Sequence, residues 1–422
     1  MLDKNIEKVF IGALREELVL AMGCTEPIAL AYAAAKCKDI LGEMPDRIVA
    51  YCSGNIIKNV RCVKIPNSGG MRGIEAAVAL GAIGGDADEY MEVLASATAE
   101  DAERARKFAK DNCRVEFLDS DIPLHFIIEM RNGKSSASVE IRHAHTNIVK
   151  IIKNGAMIYS NLADVEPHRS ADRGSYTLEN IKQFADEVEL SMVEDLIERQ
   201  IRCNMAIAEE GLGGEYGLGI GKTILDACED TVTSKMKAYA AAASEARMDG
   251  CDMPVAINSG SGNQGIASSV PVIVYAREKG YGREALYRAL IFSALLTIYQ
   301  KNFIGKLSAF CGAVSASCAA GAAITYISGG SIRQIEDTVI NTLANIPGII
   351  CDGAKVSCAA KIASSIDASM MAHYLAIRGK VYADSGIIQD TVDHTISSVG
   401  HIGRVGMKET DKDIIREMLE TK

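Results

Sequence analysis

The feature that most constrains this chain is a run of 21 residues without a charged side chain, LSAFCGAVSASCAAGAAITYI at positions 307–327. Its length is sufficient for a helix that spans a bilayer core of about 30 Å. Its apolar positions are mostly Ala and Gly, however, and Ser, Thr and Cys are interspersed, so transfer into lipid would gain little free energy. We therefore predict a helix packed tightly inside a folded domain, and no membrane association.

The rest of the composition favours a large and mostly helical interior. Hydrophobic residues make up 48% of the 422 positions, yet Trp is absent and aromatic residues reach only 5%. Ala, Val, Ile, Leu and Met must therefore fill the cores, and the length suits two domains. The net charge of −10 argues against a nucleic-acid partner, because binding to a phosphate backbone needs clustered Lys and Arg.

Two helices are predicted at the N-terminal end. Apolar side chains recur at a spacing of four over residues 5–22, which indicates an amphipathic helix that stops at Gly23. The sequence Thr25-Glu26-Pro27 then has the acidic first turn and early proline that open a second helix. Cys24 is thereby predicted to lie at a helix N-terminus.

Strand patterns follow these helices. Short β-type runs occupy residues 47–53 and 59–65. Residues 122–160 are typical of an antiparallel meander, with Asn-Gly hairpin turns at 132–133 and 154–155. This part of the chain is therefore predicted to contain an antiparallel sheet.

The chain is predicted to be an α+β protein of two domains. Residues 1–165 would form the α+β domain with its sheet, and residues 166–422 a mostly α-helical domain. The boundary is placed in residues 161–176, whose composition is that of a linker.

Three glycine-rich segments are candidate binding loops. GLGGEYGLGIGKT, at 211–223, fails the P-loop pattern because Tyr216 stands where a glycine is required. NSGSGNQG, at 258–265, allows successive backbone N–H groups to converge on an anion such as a carboxylate, although a tight interhelical loop is an equal alternative. NSGGMRG, at 67–73, has the same character and adds the cation of Arg72.

The cysteines are predicted to be reduced thiols. The N-terminus, MLDKNIEKVF, lacks the charged leader and apolar stretch of a signal peptide, so we expect a cytoplasmic protein. Most of the twelve cysteines lie inside helix or strand patterns, where small buried hydrophobes are the default. Four fall at turns, at helix junctions or in the charge-free segment, and these are the candidates for chemistry: Cys24, Cys311, Cys351 and Cys358.

Spacing separates these candidates further. Cys311 and Cys318 are seven positions apart in a predicted helix, which separates them by roughly 10 Å, so one small cluster would not easily bind both. Cys351 and Cys358 have the same spacing, but Gly353 suggests a loop that lets them converge. The absence of a CxxC pair weakens a structural zinc site or a thioredoxin-like one.

His143 and His145 form a further candidate pair. They are two positions apart in the predicted meander and would face the same side of a strand, so both could bind a metal. No third ligand is evident, and a strand face with two ordinary histidines is the favoured explanation of the pattern.

Five segments stand out together: GCTEPIALA (23–31), IPNSGGMRG (65–73), INSGSGNQGI (257–266), FCGAVSASCAAG (310–321) and GIICDGAKVSCAAK (348–361). In this order they resemble the L-cysteine desulfidase family, whose catalytic part is related to the α chain of iron–sulfur L-serine dehydratases. The resemblance spans nearly the whole chain. It implies that the helical domain is serine dehydratase α-chain-like and that the enzyme is a lyase converting L-cysteine into hydrogen sulfide, pyruvate and ammonia.

The resemblance also implies site residues. A [4Fe–4S] cluster would be held by Cys311, Cys351 and Cys358, leaving one iron open for the substrate thiolate, although Cys24 could replace Cys358 as the third ligand. Cys24 is the candidate base, because a helix N-terminus favours thiolate and lowers a thiol's pKa. The backup bases are Glu26, Lys355 and His145.

The two glycine-rich loops would bind the rest of the substrate. The residues that the resemblance implies, with His145 nearby, are Asn67, Ser68, Arg72, Ser259, Ser261, Gly262, Asn263 and Gln264.

Two alternative functions stay open: an iron–sulfur L-serine dehydratase, and a non-catalytic iron–sulfur binding protein. A pyridoxal-phosphate lyase would do similar chemistry, but no lysine is marked for a Schiff base. The oligomeric state is also open, with a homodimer as one option.

Overall fold

The N-terminal part builds a six-stranded sheet covered by helices, in a computed structural model that describes residues 3–161, 173–305, 307–383 and 386–420. The strand order is β3-β2-β4-β5-β6-β7. Strands β2 and β3 run parallel and all other neighbours run antiparallel. The elements are α1 (Lys4–Glu17), β1 (Leu20–Met22), α2 (Thr25–Leu41), β2 (Arg47–Cys52), α3 (Gly54–Val60), α4 (Ile74–Gly84), α5 (Ala99–Asn112), β3 (Cys113–Phe117), β4 (His125–Asn132), β5 (Ser135–Arg142), β6 (Ile148–Lys153) and β7 (Ala156–Ser160).

The predicted meander is confirmed as strands β4 to β7. Its second Asn-Gly turn has Asn154 at φ 51° and Gly155 at φ 80°, which is the positive φ at both central residues that a type I′ turn requires. The first turn lies one position later than predicted: Asn132 pairs with Ser135 at the end of β4, so the central residues are Gly133, at φ 53°, and Lys134. Turn chemistry therefore set the register of both hairpins.

Two local predictions in this part were wrong. The first helix ends at Glu17, because residues 20–22 instead form strand β1 and pair antiparallel with residues 254–256. The β-type run at 59–65 is not a strand: α3 continues to Val60 and a turn follows. In the first case a tertiary contact, the pairing with β8, prevailed over the local apolar pattern.

The remainder of the described chain is helical apart from one short strand. Its elements are α6 (Leu178–Glu187), α7 (Glu194–Gly213), α8 (Ile220–Ala227), α9 (Val232–Met248), β8 (Pro254–Ala256), α10 (Gly262–Lys279), α11 (Arg283–Ile304), α12 (Gly312–Ile327), α13 (Ile332–Asn345), α14 (Cys358–Ala376), α15 (Val392–His401) and α16 (Lys408–Glu420). The α+β class is thus confirmed.

The charge-free segment forms α12, the central helix of this part. Helices α10, α11, α13 and α14 pack around it, and all but two of its residues, Gly312 and Tyr326, are buried. Small side chains let the neighbouring backbones approach closely: a Cβ on Gly321 would lie 2.7 Å from the Cβ of Ser369. Among the described residues, no helix has the length and apolar character needed to cross a membrane.

The predicted domain boundary at 165/166 lies outside the described residues. On either side of it, one cluster of buried hydrophobic side chains runs from Phe10 to Val399. Strand pairing of β1 with β8, and packing of α1 on α6 and α11, join the two parts. The N-terminal residues are therefore fixed against the helical part, next to the site described below.

Candidate active site

The N-termini of four helices open onto one cavity of about 90 Å³. The cavity is lined by Cys24 at the start of α2, Ser261 at the start of α10, Cys311 at the start of α12 and Cys358 at the start of α14. The first N–H groups of a helix have no partner within the helix and carry a partial positive charge. The cavity is therefore suited to thiolates and to other anions.

A short antiparallel bridge brings Cys311 and Cys351 together. Phe310 pairs with Ile350, the Cys311 N–H donates to the Ile349 carbonyl at 2.9 Å, and the Cys351 N–H donates to the Ala309 carbonyl at 2.7 Å. The two thiols are hydrogen-bonded to each other. Cysteines that are 40 positions apart in the sequence thus form one pair at the cavity wall.

This thiol pair favours a negative charge. The hydrogen bond from Cys311 lowers the pKa of Cys351 to about 6 against the opposing effect of burial, and the cations of Lys58 and Lys361 lower it further. The same hydrogen bond, together with burial, raises the pKa of Cys311. The pair therefore shares one proton, and Cys351 is the thiol that ionises first.

Cys358 is held close to this pair by a tight loop. Gly353 adopts φ +95°, and a Cβ there would lie 2.3 Å from the Lys58 carbonyl oxygen, so only glycine fits without distortion. The thiol of Cys358 faces the Gly353 carbonyl at 4.0 Å, and burial raises its pKa. Cys358 packs against the small apolar cluster that contains Cys24. All four cysteines singled out in the sequence line the cavity.

Cys24 differs from its predicted electrostatic state. It occupies the N-cap of α2 as expected, but its Sγ donates to the Glu26 carboxylate at 3.2 Å. Burial first, and then the negative charge of Glu26, raise the pKa of the thiol well above its ordinary value. The prediction that the helix N-terminus lowers the pKa of Cys24 was therefore wrong, because desolvation and Glu26 outweigh the helix field.

The donor set suits a cluster better than a single ion. Across the part of the chain that the structure describes, no three His, Cys, Asp or Glu side chains meet tightly enough to hold one metal ion. In an iron–sulfur cubane each cysteine binds a different iron, so its ligands stand around the cluster instead of meeting at a point. Three thiols from two segments that line one cavity are compatible with that arrangement.

The NSGSGNQG loop reaches the cavity through its second half. Ser261, Asn263 and Gln264 line the cavity. Ser259 does not line it, since its hydroxyl donates to the Asn258 side chain at 2.8 Å. Gly262 lies behind the lining, where a Cβ would come within 2.2 Å of the Arg247 Nε.

The NSGGMRG loop does not contribute to the lining of this cavity. Asn67 donates to the Leu94 carbonyl at 2.9 Å, Ser68 donates to the Ile65 carbonyl at 2.7 Å, and Arg72 donates to the Cys62 carbonyl at 3.1 Å. These side chains stabilise the loop itself. In this structure the assignment of Asn67, Ser68 and Arg72 to the substrate site is therefore not supported by geometry.

The two histidines and Lys355 separate in the fold. Strand β5 ends at Arg142, so His143 and His145 lie in the following turn, and His143 has φ 67°. His145 lines the thiol cavity, whereas His143 lines a larger neighbouring cavity of about 1000 Å³. Lys355 lines neither cavity and is paired with Asp352, so the structure does not place it as a base.

The rejected P-loop segment holds a carboxylate of the protein itself. The backbone N–H groups of Leu218 and Ile220 donate to the two oxygens of Glu245 at 2.6 and 2.7 Å. The N-terminus of α8 is thereby satisfied internally. This confirms that the glycine-rich stretch is structural rather than a phosphate site.

Sequence reasoning missed Arg247, a lining residue on α9 near its C-terminus. It is only 2% exposed and ranks among the largest fully buried side chains. The signal was present in the sequence: one arginine lies in the Ala-rich helix AYAAAASEARM, where a charged side chain is rarely buried without a reason.

Comparisons with known proteins agree with this geometry. Residues 88–416 match the family model for the serine dehydratase alpha chain. Relatives described as UPF0597 proteins align over nearly their whole length. They include those of Lachnoclostridium phytofermentans (46% identical, covering 98% of this chain and 99% of the relative), Treponema denticola (45%, 99% and 99%) and Desulfitobacterium hafniense (44%, 98% and 96%).

The matched range contains three of the four cavity cysteines, Cys311, Cys351 and Cys358. The family is one of lyase-type enzymes, which is consistent with a buried site of ionisable thiols. The chain therefore belongs to the serine dehydratase alpha chain family.

Proposed function

We propose that this protein is a [4Fe–4S]-dependent L-cysteine desulfidase, which converts L-cysteine and water into hydrogen sulfide, pyruvate and ammonia. One observation carries the proposal: Cys311 comes from one segment and Cys351 and Cys358 from another, and all three line one cavity together with Cys24. The reaction is an elimination followed by hydrolysis, so it transfers no electrons overall.

Cys311, Cys351 and Cys358 would hold the cluster. The lowered pKa of Cys351 favours one of the thiolates that iron requires. When bound, the cluster supplies an iron Lewis acid that makes the substrate's sulfur a better leaving group. Lys58 and Lys361 stabilise the loop around Cys351, since each donates to a backbone carbonyl there at 3.3 and 2.8 Å.

Cys24 and Glu26 would move the α-proton. The thiol of Cys24 donates to Glu26 Oε2 at 3.2 Å, and the Thr25 hydroxyl donates to the same oxygen at 3.1 Å. The Glu26 carboxylate can therefore act as the base that takes the α-proton, while the Cys24 thiol and the Thr25 hydroxyl hold it in place. This assignment replaces a free Cys24 thiolate with a thiol–carboxylate pair.

The activity test compares L-cysteine with L-serine. We expect anaerobically purified protein to contain iron and acid-labile sulfide, to release hydrogen sulfide and pyruvate in equal amounts from L-cysteine, and to turn over L-serine at least about tenfold less efficiently, a preference of about 1.4 kcal/mol. The family name favours serine dehydratase as the second candidate. A higher kcat/KM for L-serine would establish that activity instead, and a cluster without release of pyruvate from either substrate would indicate a non-catalytic binding protein.

A further inference from the structure

Arg247 is a buried cation that has no carboxylate partner among the described residues. Its side chain lines the thiol cavity and is 2% exposed. Its only hydrogen bond within the described residues runs from Nη1 to Asn263 Oδ1 at 3.1 Å, and Nε has no partner there. A charge removed from water costs several kcal/mol unless it is paired, so this position favours a ligand with a negative charge.

The surroundings of Arg247 fix its orientation. Asn263 Oδ1 also accepts from the Ser244 hydroxyl at 3.0 Å, which holds the amide in place and keeps its Nδ2 donor on the other side. Gly262 permits the close approach, because a Cβ there would lie 2.2 Å from the Arg247 Nε. The guanidinium is therefore held rigidly, and a rigid fork loses little entropy when it binds a planar carboxylate.

Gln264 adds a complementary group at the same cavity. It is 4% exposed, lines the cavity, and its Oε1 has no hydrogen-bond partner within the described residues. A buried carbonyl oxygen without a donor is costly and would be satisfied by an N–H group of a ligand. A cation and an unpaired acceptor that line the same cavity match the two charged groups of an α-amino acid.

We infer that Arg247, oriented by Asn263, binds the α-carboxylate of an α-amino acid substrate, and that Gln264 Oε1 accepts a hydrogen bond from its ammonium group. The inference rests on the proposed function for the identity of the substrate. It assigns recognition of the amino acid to the start of α10 and the end of α9, in the cavity that the thiol pair also lines. The rival role for Arg247 is to neutralise the thiolates and so to support cluster binding.

The test uses Arg247→Gln and Arg247→Lys in the full-length protein, with Arg202→Gln as the matched control, since Arg202 is exposed on α7 and does not line the cavity. We expect Arg247→Gln to raise KM for L-cysteine by about 100-fold and to change kcat much less. Arg247→Lys keeps the charge but loses the fork, so it should recover part of this loss. Iron and acid-labile sulfide per chain should match the wild type in all three variants.

A binding measurement makes the inference independent of turnover. By calorimetry, L-alanine, which has no leaving group, should bind wild type and bind Arg247→Gln about 100-fold more weakly, while ethylamine, which lacks the carboxylate, should bind both equally weakly. The unfolding temperature of Arg247→Gln should not fall, because the variant removes an unpaired buried charge. A stabilising role within the fold would predict the opposite.

The outcomes separate this inference from the proposed function. An unchanged KM and unchanged affinity for L-alanine in Arg247→Gln would overturn the inference, as would a loss of iron with L-alanine affinity intact, which would establish the thiolate-neutralising role. If wild type releases no sulfide but its affinity for L-alanine depends on Arg247, the proposed function fails and the inference stands. If Arg247→Gln does not fold, the same comparisons are made with Arg247→Lys.

Discussion

Cys351→Ala is expected to lose the iron–sulfur cluster and to reduce sulfide release from L-cysteine by more than about 100-fold, since groups behind a metal ligand already account for about 10- to 100-fold. Cys351 is the thiol that ionises first, with a pKa lowered to about 6 by its hydrogen bond to Cys311. Its removal takes away the thiolate and leaves Cys311 without its partner. Iron content and visible absorbance of anaerobically purified protein measure the first effect, and sulfide release measures the second.

The matched control is Cys318→Ala. Cys318 is fully buried and lies on the helix that begins at Cys311, but it does not line the cavity, and its Sγ faces the Val339 carbonyl at 4.0 Å. We expect full iron content and a loss of stability of about 1 kcal/mol from the small cavity. Equal iron loss in both variants, or full iron content in Cys351→Ala, would contradict the assigned donor set.

Lys58→Met is expected to lower the free energy of unfolding by about 3 kcal/mol. Removing one partner of a buried ion pair typically costs this much, because the other charge stays buried and unpaired. The Lys58 side chain is fully buried. Its Nζ is paired with Asp411 on α16 and donates to the Cys351 carbonyl at 3.3 Å. The substitution leaves the Asp411 carboxylate, which is 13% exposed, without its counter-charge. It also removes the side chain that connects the C-terminal helix to the loop of Cys351.

Urea unfolding of the single and double variants measures this coupling. Lys58→Met combined with Asp411→Leu should recover much of the lost stability, because no unpaired charge remains, and the two substitutions should be strongly non-additive. The double variant should still bind iron less completely than wild type, since the donor to the Cys351 carbonyl is absent. A Lys58→Met protein as stable as wild type would show that α16 is not held through this pair.

The sequence was sufficient for those parts of the site that depend on local signals. The Thr25-Glu26-Pro27 opening placed Cys24 at the start of α2, the Asn-Gly pairs located the hairpins, and the small residues of α12 predicted close packing. Each of these features follows from backbone chemistry within a few positions. For the same reason, the loop before Cys358 could be predicted from Gly353.

Features that depend on distant contacts could not be predicted in this way. Loops 67–73 and 258–265 have similar compositions, yet only the second reaches the cavity, because the first is closed by its own side-chain hydrogen bonds. The hydrogen bond between Arg247 and Asn263 connects the end of α9 to the start of α10. The ion pair between Lys58 and Asp411 joins residues that are 353 positions apart in the sequence. The raised pKa of Cys24 likewise depends on burial, which the motif does not encode.

Mössbauer spectroscopy tests the central claim most directly. The protein would be reconstituted anaerobically with ⁵⁷Fe, and spectra recorded before and after addition of L-cysteine. With three protein thiolates around a cubane, one iron of the four should be distinct, and its signal alone should shift when the substrate's sulfur binds. A spectrum without a [4Fe–4S] signature, or four irons that do not respond to L-cysteine, would contradict the account.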